Sequence, residues 1–226
     1  ANGSPYRVFT PFWKNFLKTN DTFLCVGAPE KQNNMITIDD KVQLEEWQLL
    51  PHAPNWADGF SAHWQPGEEG GQKRLQDFVA NRLQHYCALR DFPSAAIPSA
   101  LSPHLRFGEI SPRQIWVAIK GAAEKAGGKN ADKFLAELGW REFSHHLLSH
   151  APDLQTANFN NQFDHFPWYD GNDHDARLKA WQKGLTGYPI IDAGMRELWQ
   201  TGTMHNRVRM IVASFLTKHL LIDWRH

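Results

Sequence analysis

The stretch TGTMHNRVRM, residues 201–210, sets His205, Asn206, Arg207 and Arg209 within five consecutive positions at the head of an apolar run, IVASFLTKHLLIDW. Asn206, Arg209 and Met210 are three and four residues apart, so on a helix they share one face near its start. Glu137, Trp140 and Arg141 repeat the i, i+3, i+4 spacing, with Glu137 between Leu135 and Leu138. A third stretch, RDFPSAAIPSALSPHLRF, puts Ser99 and Ser102 in a proline-rich turn beside basic residues. Hydroxyls and free backbone amides at such a turn can cradle phosphate oxygens. Each cluster alone also fits a plainer account: an ion pair of little worth when exposed, or serines that cap an ordinary loop.

The elements that must position these groups are mainly helical. Between residues 71 and 90, Leu75, Phe78, Val79, Leu83, Tyr86 and Leu89 recur at intervals of three and four, one apolar stripe. Ser111 followed by Pro112 reads as an N-cap and first-turn pair. Asn130 is placed to cap ADKFLAELGWREFSHHLLSH. DARLKAWQKG and IIDAGMRELWQTG each end in glycine, a usual C-cap residue. The last helix is expected from about Met204 to Trp224, with Val208, Ile211, Val212, Phe215 and Leu216 as its apolar face. No hairpin turn signal and no internal repeat is present. Residues 1–70 are rich in Pro, Gly and Trp and weak in periodicity. They read as a connector over a helical body at 71–226.

Composition narrows the function classes. Residues 1–70 carry five Lys/Arg and nine Asp/Glu, residues 71–226 nineteen and fifteen, so the second part is the better partner for a polyanion. Cys25 and Cys87 do not make a disulfide framework or a zinc site, which points to a reducing cytoplasm and no metal. No apolar run reaches the length of a membrane span, and ANGSPYRVF is not a signal peptide.

Taken together, LSPHLRFGEISPRQ, ELGWREF and TGYPIIDAGMRELWQTGTMHNRVRM…LLIDW, in this order and spacing, closely resemble the flavin-binding helical domain of the DNA photolyase and cryptochrome family. The resemblance covers essentially the whole chain. It implies a segment that opens near the end of an α/β antenna domain, crosses a connector, and stops within the FAD-binding helical domain. It also implies FAD, in reduced form for repair. FAD is expected to be absent or weakly held here, because the residues of one side of the pocket lie outside the chain. The antenna pigment is not legible.

The resemblance assigns roles residue by residue. Tyr86, Ser99, Leu101 and Ser102 match positions on the flavin's phosphate and ribitol side, and Phe134 stands where a pocket Trp is common. Arg141 and Arg209 match arginines beside the flavin, where a cation favours a reduced, anionic ring. Asn206 also borders the flavin. Glu137, Trp140, Asn206 and Met210 match the mouth where a flipped-out pyrimidine dimer lies. Trp140 offers a flat stacking partner. Glu137, if protonated, and Asn206 are donors for a pyrimidine carbonyl that gains charge. Arg90 and Arg207 are expected on DNA phosphates. Trp168 and Trp224 match the outer and middle members of a tryptophan relay. Pro98, Ala100 and Thr203 depart from the family pattern. MHNRVRM resembles the form that repairs cyclobutane dimers; (6-4) enzymes carry a histidine-rich version. The expected function is light-driven repair of cyclobutane dimers in damaged DNA by a monomeric lyase. The alternatives are a cryptochrome-like photoreceptor or a helical fragment that binds neither flavin nor DNA.

Overall fold

The computed structural model describes residues 4–20, 23, 25, 27, 42–95 and 97–226. Among these residues there is no strand. Among the described residues nine α-helices carry the architecture: α1 (Phe9–Thr19), α2 (Glu68–Asp77), α3 (Tyr86–Leu89), α4 (Ser102–Phe107), α5 (Pro112–Ala126), α6 (Gly128–His150), α7 (His174–Gln182), α8 (Pro189–Thr201) and α9 (Asn206–Ser214). The expected mainly helical class is what forms. The stretch of connector at 28–41 lies outside the described residues.

The start of α5 follows its sequence closely. The Gln114 N–H donates to the Ser111 hydroxyl at 3.1 Å and the Ser111 N–H donates to Oε1 of Gln114 at 2.7 Å, a capping box with Pro112 in the first turn. Gly202, with φ +73°, closes α8, and Gly184, with φ +63°, follows α7.

Three expectations need correction. The stripe at 71–90 is not one regular helix. A π turn over Phe78–Arg82 and a 3-10 turn over Leu83–His85 separate α2 from α3. The π turn aligns residues five apart, so Phe78 and Leu83 both reach full burial, whereas Leu89 stays exposed. Asn130 is not an N-cap but lies inside the first turn of α6. Its amide donates to the carbonyls of Ala126 and Gln84, each at 2.8 Å, and accepts from the Cys87 N–H at 2.9 Å, pinning α3 to α6. The last helix ends earlier than expected: α9 passes into a π turn over Phe215–His219, and Trp224 lies beyond it. Of its expected apolar face, Val208, Val212, Phe215 and Leu216 are buried, and Ile211 is exposed.

Burial concentrates in two clusters. Phe78, Leu83, Tyr86, Leu101, Ile115, Ile119 and Leu135 fill the space between α2, α5 and α6. Ile191, Met195, Met204, Val208, Val212 and Phe215 join α8 to α9. The connector contributes order of its own. Helix α1 lies on α6 so closely that a Cβ on Gly139 would stand 2.4 Å from the Trp13 ring, so only glycine fits there. Further along, the Trp64 indole N–H donates to the Thr201 carbonyl at 2.6 Å, strapping the connector to α8.

Candidate functional site

Helix α6 presents Glu137, Trp140 and Arg141 within one turn. Trp140 is half exposed, and Phe9 of α1 covers one face of its indole, with ring centroids 3.8 Å apart and planes 9° from parallel. One face therefore remains for a ligand. Arg141 donates to Glu142 at 2.8 Å. Glu137 accepts from the Arg90 guanidinium at 2.5 Å, acting here as an acceptor rather than a donor.

Arg90 lies inward, not on a phosphate-facing surface. Its side chain is 11% exposed, its guanidinium sits over the Tyr86 ring, and it reaches Glu137 and Asp91. Burial works against its charge, but its bond to Glu137 and the nearby carboxylates outweigh it and hold its pKa above the ordinary arginine value. Nε and Nη1 of Arg90, which the sequence placed on DNA phosphate, here meet Asp91, Tyr86 and Glu137. Beneath it, burial pushes the Tyr86 hydroxyl up to about 12.

The head of α9 is anchored by His205. Nδ1 accepts from the Arg207 N–H at 3.2 Å, so Nε2 must carry the proton that goes to the Arg90 carbonyl, 3.1 Å away. Both ring nitrogens are thereby used. Asn206 and Met210 face outward one turn apart, with the Asn206 amide 4.0 Å from the Met210 sulfur. Arg207 bonds Asp91 at 2.8 Å and leaves part of its guanidinium exposed. Arg209 is exposed and has no carboxylate partner among the described residues.

On the other side, Leu101 and Tyr86 are buried in the first core cluster, whereas Ser99 is half-buried and Ser102 exposed. Neither serine hydroxyl is bonded to another described residue, and Ala100 between them takes φ +52°. Phe134, expected among the flavin-binding positions, lies in the core. It is 5% exposed and packs between Phe78 and Tyr86, with centroids at 4.5 and 5.3 Å. Trp168 and Trp224 lie in one corner, where the Tyr169 N–H donates to the Leu221 carbonyl at 2.8 Å. The Trp224 indole N–H donates to Asn158, whereas that of Trp168 is buried without a partner.

Residues 134–226 match the family described as the FAD binding domain of DNA photolyase. Residues 134–226 belong to that family. A deoxyribodipyrimidine photo-lyase of Agrobacterium fabrum is 48% identical over 99% of this chain and 46% of its own length. The crystal structure of a bacterial class III photolyase from Agrobacterium tumefaciens superposes with a TM-score of 0.92 at 48% identity, over 99% of this chain and 46% of that one. A cryptochrome of Synechocystis sp. PCC6803 superposes with a TM-score of 0.80 at 33% identity, over 96% and 45%. The chain spans about half the length of these relatives.

Among the described residues, the Ser99 and Ser102 hydroxyls are unbonded near Ala100, which takes φ +52°, and Arg209 on α9 has no carboxylate partner; these are donor types that a phosphate-bearing cofactor can use. Sequence reasoning missed three contributors. Phe9 gave no signal, because its partner is 131 positions away. His205 was visible, but the tie of its Nε2 to the Arg90 carbonyl spans 115 positions. Asp91 was overlooked beside a more conspicuous arginine.

Proposed function

We propose that the protein repairs cyclobutane pyrimidine dimers in DNA, using light and a reduced FAD held by Tyr86, Ser99, Leu101, Ser102, Arg141 and Arg209. When bound, a reduced flavin would supply the electron for cleavage of the cyclobutane bonds. The chain's own residues bind and orient. Trp140 offers its free face to the flipped dimer. Asn206 donates to a pyrimidine carbonyl and accepts from an N–H edge, and Met210 packs beside it. Glu137, bonded to Arg90, holds the turn of α6 that carries Trp140. Arg207 meets the DNA backbone, which fixes position without reading sequence. Trp168 and Trp224 serve as steps of an electron relay toward the flavin.

The observation that carries the choice of lesion is the state of His205. With both nitrogens bonded, it is withheld from proton transfer, and the outward groups at the head of α9 are Asn206 and Met210, which do not titrate near neutral pH. That suits a reaction driven by an electron and hydrogen bonds, without a general acid. The protein acts as a monomer in the cytoplasm, in keeping with its two free cysteines. Among the described residues no helix is long and apolar enough to cross a membrane. The experiment is illumination of dimer-bearing DNA with the reduced, full-length protein carrying this chain. Recovery of base absorbance supports repair. A flavin photocycle with no recovery would assign the photoreceptor function of the cryptochromes instead.

A further inference from the structure

Asp91 joins the two arginines that the sequence placed on DNA. Its Oδ1 accepts from Arg207 Nε at 2.8 Å and lies 3.4 Å from Arg90 Nε. Arg90 has a closer carboxylate in Glu137, at 2.5 Å, and is 11% exposed. Arg207 is different: its side chain is 42% exposed, Asp91 is 50% exposed, and among the described residues no other carboxylate pairs with it. The pair also sits where the backbone is already fixed, because the His205 ring ties the Arg90 carbonyl to the Arg207 N–H. Asp91 thus holds an oxyanion against the one arginine of the two that faces solvent.

We infer that Asp91 is an internal rival of DNA phosphate for Arg207, keeping the protein's grip on the nucleic-acid backbone weak. The inference rests on the DNA-binding function proposed above. A carboxylate and a phosphodiester oxygen present the same chemistry to a guanidinium: a negative oxygen accepting a charge-assisted hydrogen bond. An exposed pair of this kind is weak, so phosphate can displace it, yet each encounter must break it first. Arg207 is thereby pre-aimed at an anion while the net charge of the contact stays at zero. Binding to undamaged duplex depends on backbone charge alone, so this rivalry acts on all of it. A flipped lesion adds stacking and edge contacts that Asp91 does not oppose. Asp91 is a positioning residue in this scheme, since it acts only through Arg207.

The test is fluorescence anisotropy with a labelled, lesion-free duplex at several salt concentrations, on the full-length protein carrying this chain and on its Asp91→Asn, Asp91→Ser and Asp91→Glu variants. Asp91→Asn and Asp91→Ser should bind about threefold tighter. Their plot of log affinity against log salt should steepen by about 0.9, one phosphate contact. Asp91→Glu should behave as the parent. The same changes are then made with Arg207→Gln in place, where both effects should vanish. Unchanged or weaker binding by Asp91→Asn and Asp91→Ser would overturn the inference, and so would an equal gain with Arg207→Gln, which would mark a general charge effect. Absence of DNA binding in every form would overturn the DNA-binding function together with the inference, whereas binding that ignores Asp91 overturns the inference alone.

Discussion

Glu137 of α6 and Arg90 at the end of α3 meet at 2.5 Å, although 47 residues separate them. This contact ties the helix that carries Trp140 to the segment that anchors His205. The ion pair is partly shielded, with side-chain exposures of 33% for Glu137 and 11% for Arg90. Removing one member leaves a mostly buried guanidinium without its main partner. Glu137→Ala should therefore lower stability by about 2 kcal/mol, discounted for the exposed carboxylate. Glu137→Gln, which keeps an acceptor, should lower it by about half as much. Denaturant unfolding of both variants measures the difference.

Phe9 covers one face of the Trp140 indole, and the proposed lesion would take the other. Trp140→Ala should weaken binding of dimer-bearing DNA by about 1–3 kcal/mol, the worth of a base stack. Phe9→Ala should leave that affinity nearly unchanged. Its effect should fall on stability instead, by about 2 kcal/mol for a half-buried ring and its stacking partner. Titration with dimer DNA and thermal melting of each variant distinguish the two roles. Equal losses of DNA affinity would show that Phe9 belongs to the binding surface.

Asp192 gives a pH dependence with a definite sign. Its buried carboxylate accepts from the Thr186 N–H at 2.8 Å, the Thr186 hydroxyl at 2.6 Å and the Gly187 N–H at 2.9 Å. Burial pushes its pKa up, but the Thr186 and Gly187 donors, helped by Arg196, outweigh burial and hold it below the usual range. A depressed folded pKa means stability that is fully present above the unfolded value of about 3.9 and is lost as pH falls through the folded one. Asp192→Asn should be about 2 kcal/mol less stable than the parent at pH 7. That gap should close at acid pH, below the ordinary Asp range. Denaturant melts across this window measure it; a constant gap would show that the carboxylate's charge contributes nothing.

Much of the helical framework was legible in the sequence because it depends on local chemistry. Ser111, Pro112 and Gln114 interact within one turn, so their spacing alone fixes the start of α5. Gly202 closes α8 for the same local reason. The misreadings share a different cause. Asn130 looks like a cap, but its partners Gln84 and Cys87 come from more than 40 positions away. Phe78 and Leu83 fit a regular stripe until packing selects the π turn that buries both. In the site, residue types were visible but their partners were not. Arg90 reads as a surface cation until Glu137 folds onto it, and Phe134 reads as a pocket wall until Phe78 and Tyr86 enclose it.

The central claim is that the head of α9 is built for cyclobutane dimers. It rests on His205 being locked between Arg207 and Arg90 while Asn206 and Met210 face outward. The direct measurement is the repair rate of two oligonucleotides, one with a cyclobutane dimer and one with a (6-4) product. Each is illuminated with the same reduced, full-length protein carrying this chain. The account predicts restoration of the cyclobutane substrate and none of the (6-4) substrate. Restoration of the (6-4) product at a comparable rate, or of neither lesion, would contradict it.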